Sequence, residues 1–293
     1  MKKSIPLILL LLASACAPKP PVVTPPNNCK STGYTYDLED LTYELVWSDE
    51  FDVDGEPDPQ KWSYDVGGHG WGNQELQYYT KGENVEVKDG KLVIEARKET
   101  RGPNAFTSTR LVSKNKGDFR YGKFEVYAKL PDTLGSWSAV WMLPTVNQYG
   151  GWPRSGEIDI MEYVVQDLNI VHGTVHTGRY NHIDGTQQGF SRSLHDVSNT
   201  FHLYTIEWLP DQIRYYLNGE FVYRFKPSLF ITCPTSQHWP FDIPFHLIFN
   251  IAVGGSWGGA RGVAEEGWPT TMEIDYIRVY QAVEMNDIIE NRR

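Results

Sequence analysis

The stretch SGEIDIMEY, residues 155–163, places three acids within six positions: Glu157, Asp159 and Glu162. Side chains of a β-strand alternate between faces with period two, so positions 157, 159 and 161 share a face. Position 161 is Met161, and the third acid arrives one step late. Two arrangements answer to this spacing. In one, Glu162 points to the opposite face and the acids decorate a solvated edge. In the other, one extra residue at Ile160–Met161, with Met161 as the insertion, makes a β-bulge. A bulge sets two residues against one and re-aims the side chains beyond it, returning Glu162 to the face of Glu157 and Asp159. Three carboxylates in a row repel one another and weaken a sheet. A fold keeps such a row mainly where the acids do chemistry.

Outward from this stretch, short alternating runs recur between turn signals. They include NVEVKDGKLVIEAR (84–97), FRYGKFEVYAKLP (119–131), IVHGTVHTG (170–178), FHLYTIEWLPDQIRYYLNGEFVYRF (201–225), PFHLIFNIAVGG (244–255) and MEIDYIRVYQ (272–281). Asp89-Gly90 and Asn218-Gly219 are hairpin turn signals. No amphipathic helical pattern stands out. Many strands with tight turns predict an all-β protein, a jelly-roll sandwich of two curved antiparallel sheets around a concave cleft. About 250 residues, roughly 37–283, carry no inner linker or repeat, which predicts one domain.

The ends differ in character. MKKSIPLILLLLASAC (1–16) has two lysines, an apolar run too short to span a bilayer, and small residues before Cys16. It predicts a lipoprotein-type signal with Cys16 lipidated, giving a surface-tethered bacterial lipoprotein. An ordinary secretion signal cut near Ala15 or Ala17 is the alternative. Residues 17–36 read as a stiff Pro-rich linker, and 284–293 as a frayed polar tail. Cys29 and Cys233 are either a disulfide or two buried thiols. No CxxC spacing or His/Cys cluster marks a zinc site.

A net charge of −10 without a basic cluster argues against nucleic acid as a partner. It suits a neutral substrate. Aromatic residues make up 13% of the chain, with 10 Trp and 17 Tyr, more indoles than one core requires. Exposed indole faces stack on the apolar C–H faces of sugar rings.

With a bulge, Glu157 to Glu162 spans roughly 13 Å of backbone, at ~3.3 Å per residue for four effective steps. Inward-leaning side chains shorten this. A carboxyl separation of ~5–5.5 Å serves a retaining glycosidase and ~6.5–9.5 Å an inverting one, and spacing alone leaves both open. One acid must be ionised to attack the anomeric carbon and one protonated to release the leaving oxygen. Asp159, between them, shares a proton with the nucleophile and helps keep the acid protonated.

The E-I-D-I-M-E motif in a Trp-rich β protein resembles glycoside hydrolase family 16, in its laminarinase-like branch. WSDEFD (47–52), GWGNQELQYYT (70–80), SWSAVWMLP (136–144), GGWPRSGEIDIMEYV (150–164), HGTVHT (172–177) and FNIAVGGSWGG (249–259) look like family segments in family order. Lichenase-type members of the family have an unbulged five-residue motif. The resemblance implies a retaining endo-β-glucanase acting on β-1,3-glucan or mixed-linkage β-1,3-1,4-glucan, without a cofactor for catalysis. It implies Glu157 as nucleophile, Glu162 as general acid/base and Asp159 as assisting acid. Trp152 resembles a platform tryptophan. Asn73, Glu75 and Arg110 resemble partners of sugar hydroxyls, against turn capping for Asn73 and a surface ion pair for Arg110. Trp257 is placed in the cleft in the same way.

Trp137 and Trp141, four apart, share a face, and either cleft or core serves each. His172 and His176 also share a face; two histidines at this spacing raise the thought of a metal, but no third ligand is evident. His176 reads as a cleft residue, and 178–189 as a loop over the cleft. The resemblance further implies a structural Ca²⁺ held by Glu50, the Gly90 carbonyl and Asp275. A monomer is expected. Agarose or another glycan, transglycosylation, and a non-catalytic glycan-binding role are the rival readings.

Overall fold

The structure, a computed structural model, describes residues 29–286. The signal segment with Cys16, most of the Pro-rich stretch and residues 287–293 lie outside the described residues.

Two eight-stranded sheets face each other. The back sheet holds β1 (Tyr43–Asp49), β4 (Val85–Lys88), β5 (Lys91–Ala96), β9 (Gly122–Lys129), β14 (His202–Leu209), β15 (Gln212–Leu217), β16 (Glu220–Phe225) and β18 (Thr270–Ala282). The cleft sheet holds β2 (Ser63–Tyr64), β7 (Arg110–Val112), β8 (Asp118–Phe119), β10 (Ser136–Pro144), β11 (Glu157–Val164), β12 (Ile170–His176), β13 (Gln188–Ser193) and β17 (Phe245–Val253). All pairings in both sheets are antiparallel. A short parallel pair, β3 (Gln77–Tyr79) with β6 (Phe106–Ser108), packs beside them. The jelly-roll expectation holds. The hairpin signals lie where expected: Asp89-Gly90 joins β4 to β5 and Asn218-Gly219 joins β15 to β16, with positive φ at all four residues. That is what a two-residue type I′ hairpin turn demands.

Alternation along each strand decides which face is buried. Phe124, Val126, Trp208, Ile274 and Ile277 point inward from the back sheet and are fully buried. Met142, Ile158, Met161, Tyr163, Val171, Val175 and Phe249 meet them from the cleft sheet. Trp208 crosses the gap to Phe245, ring to ring at 5.3 Å. This layer fixes the height of the cleft sheet, so the outward side chains of β10, β11, β12 and β17 stand on a rigid floor.

The packed unit exceeds the 37–283 expected from the sequence. Cys29 is bonded to Cys233 as a disulfide, the first of the two alternatives. Ser31 is buried, and the Tyr36 hydroxyl donates to Asp211. At the other end Met285 is 1% exposed, and Glu284 accepts from the Thr42 amide at 2.9 Å. Polarity makes these ends look like linker and tail, but a few anchors within them tie them to the sandwich.

Candidate active site

The ladder pairings of β11 answer how the third acid is oriented. Against β12, Glu157 pairs with His176, Asp159 with Thr174 and Glu162 with His172. Ile160 and Met161 together therefore face the single residue Gly173, and this is a β-bulge. Against β10, Asp159 pairs with Trp141 and Met161 with Val140, so Ile160 is passed over. The inserted residue is Ile160, correcting the expectation of Met161: the β10 ladder keeps Met161 paired and closes around Ile160. Gly173 suits the position opposite, because a Cβ there would lie 2.4 Å from the Phe190 ring and 2.9 Å from that of Tyr215.

All three acids line a cleft of about 1210 Å³ across this sheet. Trp137, Trp141, Trp152 and Trp257 wall it, and so does Trp71. Both Trp137 and Trp141 are thus cleft residues, which closes the core alternative. Trp152, 38% exposed, donates its indole N–H to Glu157 Oε2 at 2.8 Å. Trp137 donates to Glu162 Oε1 at 3.2 Å and meets Trp257 edge-on. His176, 6% exposed, holds Nε2 at 3.3 Å from Asp159 Oδ2 and 3.7 Å from Glu157 Oε1.

Burial dominates the electrostatics. It pushes the Glu157 carboxyl up to about 8, with the Asp159 charge adding to it, while His176 and the Trp152 hydrogen bond oppose the rise. Burial likewise raises Asp159. Glu162 is raised well above the usual carboxylate range by burial and then by the charges of Asp159 and Glu157. The three titrate as one set. Burial raises all of them, and Glu162 faces the like charges of both of the others.

On one flank, Glu75 is nearly buried and accepts from Asn73 Nδ2 at 3.1 Å, Gln77 Nε2 at 2.7 Å and the Tyr79 hydroxyl at 3.3 Å. The Tyr79 oxygen accepts from Asn250 Nδ2, and Asn250 Oδ1 accepts from the Trp141 indole at 2.7 Å. Arg110 lies between the Trp71 and Trp141 rings, at 4.9 and 4.6 Å, and its Nε donates to Asp65. The ion pair and the cleft position expected as alternatives for Arg110 therefore coexist. Nothing in the sequence alone singles out Gln77, Tyr79, Asn250 or His182. The first three sit inside quoted segments, and His182 in the 178–189 loop lies tilted against Trp152, ring to ring at 4.9 Å.

Glu50, Gly90 and Asp275 belong to the back sheet and its turns. There the Glu50 carboxylate is engaged by Arg278, with Nε at 3.0 Å and Nη2 at 2.7 Å. The expected calcium ligand thus already faces a cation of the chain itself.

A row of acids on the floor of an indole-walled cleft, one of them pushed toward its protonated form by its neighbours, defines a glycoside hydrolase working through paired carboxyl groups. The family described as Glycosyl hydrolases family 16 matches residues 72–278. A β-glucanase of Rhodothermus marinus is 54% identical over 248 residues, 83% of this chain and 86% of that protein. A glucan endo-1,3-beta-glucosidase of Cryptopygus antarcticus is 36% identical over 248 residues, 80% of this chain and 90% of that protein. The solved laminarinase of Rhodothermus marinus superposes with a TM-score of 0.81 at 52% identity, covering 83% of this chain and 99% of that one. The chain belongs to glycosyl hydrolases family 16.

Proposed function

We propose that the protein is an endo-acting, retaining β-glucanase that cuts internal bonds of β-1,3-glucan and of mixed-linkage β-1,3-1,4-glucan. The observation that carries this is the bulged acid row: Glu157, Asp159 and Glu162 share the cleft face, and each outer acid is held by an indole N–H. Glu157 attacks the anomeric carbon. Its ionised form is favoured by His176 and the Trp152 indole and opposed by the Asp159 charge, whereas Glu162 is opposed by the charges of both Asp159 and Glu157. Glu162 gives its proton to the leaving oxygen, and the glycosyl-enzyme forms. Glu162, now a base, draws a proton from water, which then releases the sugar from Glu157. Asp159 shares the Glu157 proton before substrate arrives. The Trp152, Trp137 and Trp257 faces bind sugar rings, and Asn73, Glu75 and Arg110 bind hydroxyls.

The test is reducing-sugar release from laminarin, barley mixed-linkage glucan, agarose and cellulose, by wild type beside Glu157→Gln. Release from the first two, absent in the variant, is expected. Release from agarose alone would replace the substrate, and release undiminished in the variant would remove Glu157 as nucleophile.

Two further proposals concern the rest of the chain. The signal-like 1–16 segment and the Cys29–Cys233 disulfide support an exported, Cys16-lipidated protein, since disulfides persist in oxidising compartments. Radiolabelled palmitate incorporation, lost in Cys16→Ser, tests it. A Ca²⁺ on the oxygens of Glu50, Gly90 and Asp275 would compete with Arg278 for Glu50. A melting temperature raised by CaCl₂ in wild type but not in Asp275→Asn would support it, and no rise would leave Glu50 to Arg278.

A further inference from the structure

Among the described residues, one group of metal-ligating side chains is close enough to share an ion. It is Glu157, Asp159 and His176, one ligand atom each, all within 4.8 Å. The ladder makes the group: β11 places the two acids two residues apart, and β12 sets His176 directly beside Glu157. The pair of histidines weighed in the sequence is not this group: His172 lies outside it, and His176 is joined instead by two acids. Those acids come from the neighbouring strand.

The two spacings made by His176 are close to those of a particular coordination. Zinc bonds of ~2.0–2.2 Å in a tetrahedron separate neighbouring ligand atoms by about 3.3–3.6 Å. His176 Nε2 is 3.3 Å from Asp159 Oδ2 and 3.7 Å from Glu157 Oε1 before any ion enters. Asp159 is 1% exposed, and its Oδ2, aimed at the imidazole, has no hydrogen-bond partner. One imidazole and two carboxylates suit a borderline cation such as Zn²⁺. Ca²⁺ prefers six to eight oxygens, and Mg²⁺ an octahedral shell. The fourth corner opens into the cleft.

We propose that Glu157, Asp159 and His176 form a binding site for one Zn²⁺-class cation, which blocks the enzyme by coordinating its nucleophile. The blocking half of this rests on the function proposed above; the binding half does not. The site is exchangeable rather than resident. Histidines of resident zinc sites donate their second ring N–H to a fixed acceptor, whereas the buried His176 Nδ1 has none. Chelation therefore restores the enzyme.

The full chain, dialysed against a chelator, is titrated with ZnCl₂ by calorimetry in the absence of glucan. One zinc per chain is expected. His176→Ala and Asp159→Asn should each weaken it by at least about tenfold, while His182→Ala, an imidazole beside the group, leaves it unchanged. Thermal melts confirm that each variant is folded, and Co²⁺ should give the intense visible bands of a four-coordinate site in wild type and His182→Ala but not in His176→Ala or Asp159→Asn. In activity assays the zinc needed for half-inhibition should rise with laminarin concentration. Equal zinc binding by both folded variants, or no zinc bound by wild type, overturns the proposal. So does zinc bound at full activity. If no glucan is hydrolysed at all, the calorimetry still decides the site; if glucan is hydrolysed and zinc is not bound, only this proposal falls.

Discussion

Glu157 and Glu162 each accept one indole N–H, but they sit in different fields. His176 lowers both, but Glu157 faces the charge of Asp159, while Glu162 faces those of Asp159 and Glu157. Replacing Asp159 by Asn removes a charge that raises both. Both ionise more easily without it, so both limbs of the pH profile of kcat/KM should move to lower pH. A variant profile that keeps the wild-type limbs would deny Asp159 this role. Glu162→Gln should lower kcat by about 10²–10⁴-fold, the usual size of a lost acid/base, measured on laminarin. The trio also bears on stability. A carboxyl held at about 8 in the fold, against 4.5 for an ordinary Glu, keeps its proton while the unfolded chain loses its own. Stability is therefore lost as pH rises from 4.5 towards 8. Glu157→Gln should melt like wild type near pH 4, and higher by roughly 2–4 °C or more near pH 8, the shift that ~1 kcal/mol gives a domain of this size. The acids were legible in the sequence because their spacing is local. Their supports were legible only in part: Trp137 and His176 read as candidates for the cleft, but that they reach the acids from other strands is a meeting no local pattern encodes.

At the scale of elements, the bulge invites a deletion. Both ladders of β11 skip Ile160, so removing it leaves a regular strand whose three acids still share the cleft face. The chain without Ile160 should fold. It should lose about 2–5 kcal/mol with the buried side chain, and keep measurable activity on at least one glucan of the panel. Failure to fold, read by circular dichroism, would mean that the bulge itself holds the sheet together. Gly173→Ala, opposite the bulge, should destabilise more than an ordinary strand Gly→Ala, since its Cβ meets Phe190 at 2.4 Å. Strands bounded by clear turns were legible from alternation: 84–97 became β4 and β5, and 201–225 became β14, β15 and β16. The parallel pair β3–β6 and the two-residue strands β2 and β8 were not, because so few residues carry no period. The bulge was legible as an insertion but not as Ile160, since only the partner strands say which residue goes unpaired.

For the whole molecule, the disulfide joins residues 204 apart in sequence. Around it, Lys30 bonds to Asp242 at 2.6 Å and its amide to the Pro234 carbonyl. Cys233→Ser should cost about 2–4 kcal/mol, chiefly by freeing the unfolded chain, and thermal melts with and without reductant measure it. Equal melts would mean that Lys30 and Tyr36 suffice to hold the N-terminal segment. The same bond has a mechanical meaning. If the chain before residue 29 is fixed to a surface, drag on a bound polysaccharide pulls on that point. The tension does not unzip residues 30–42 one contact at a time. It crosses the sulfur bridge to Cys233, bypasses β1, and reaches the body of the sandwich through the segment that leads to the buried Trp239. The first strand carries no load until that bridge is broken.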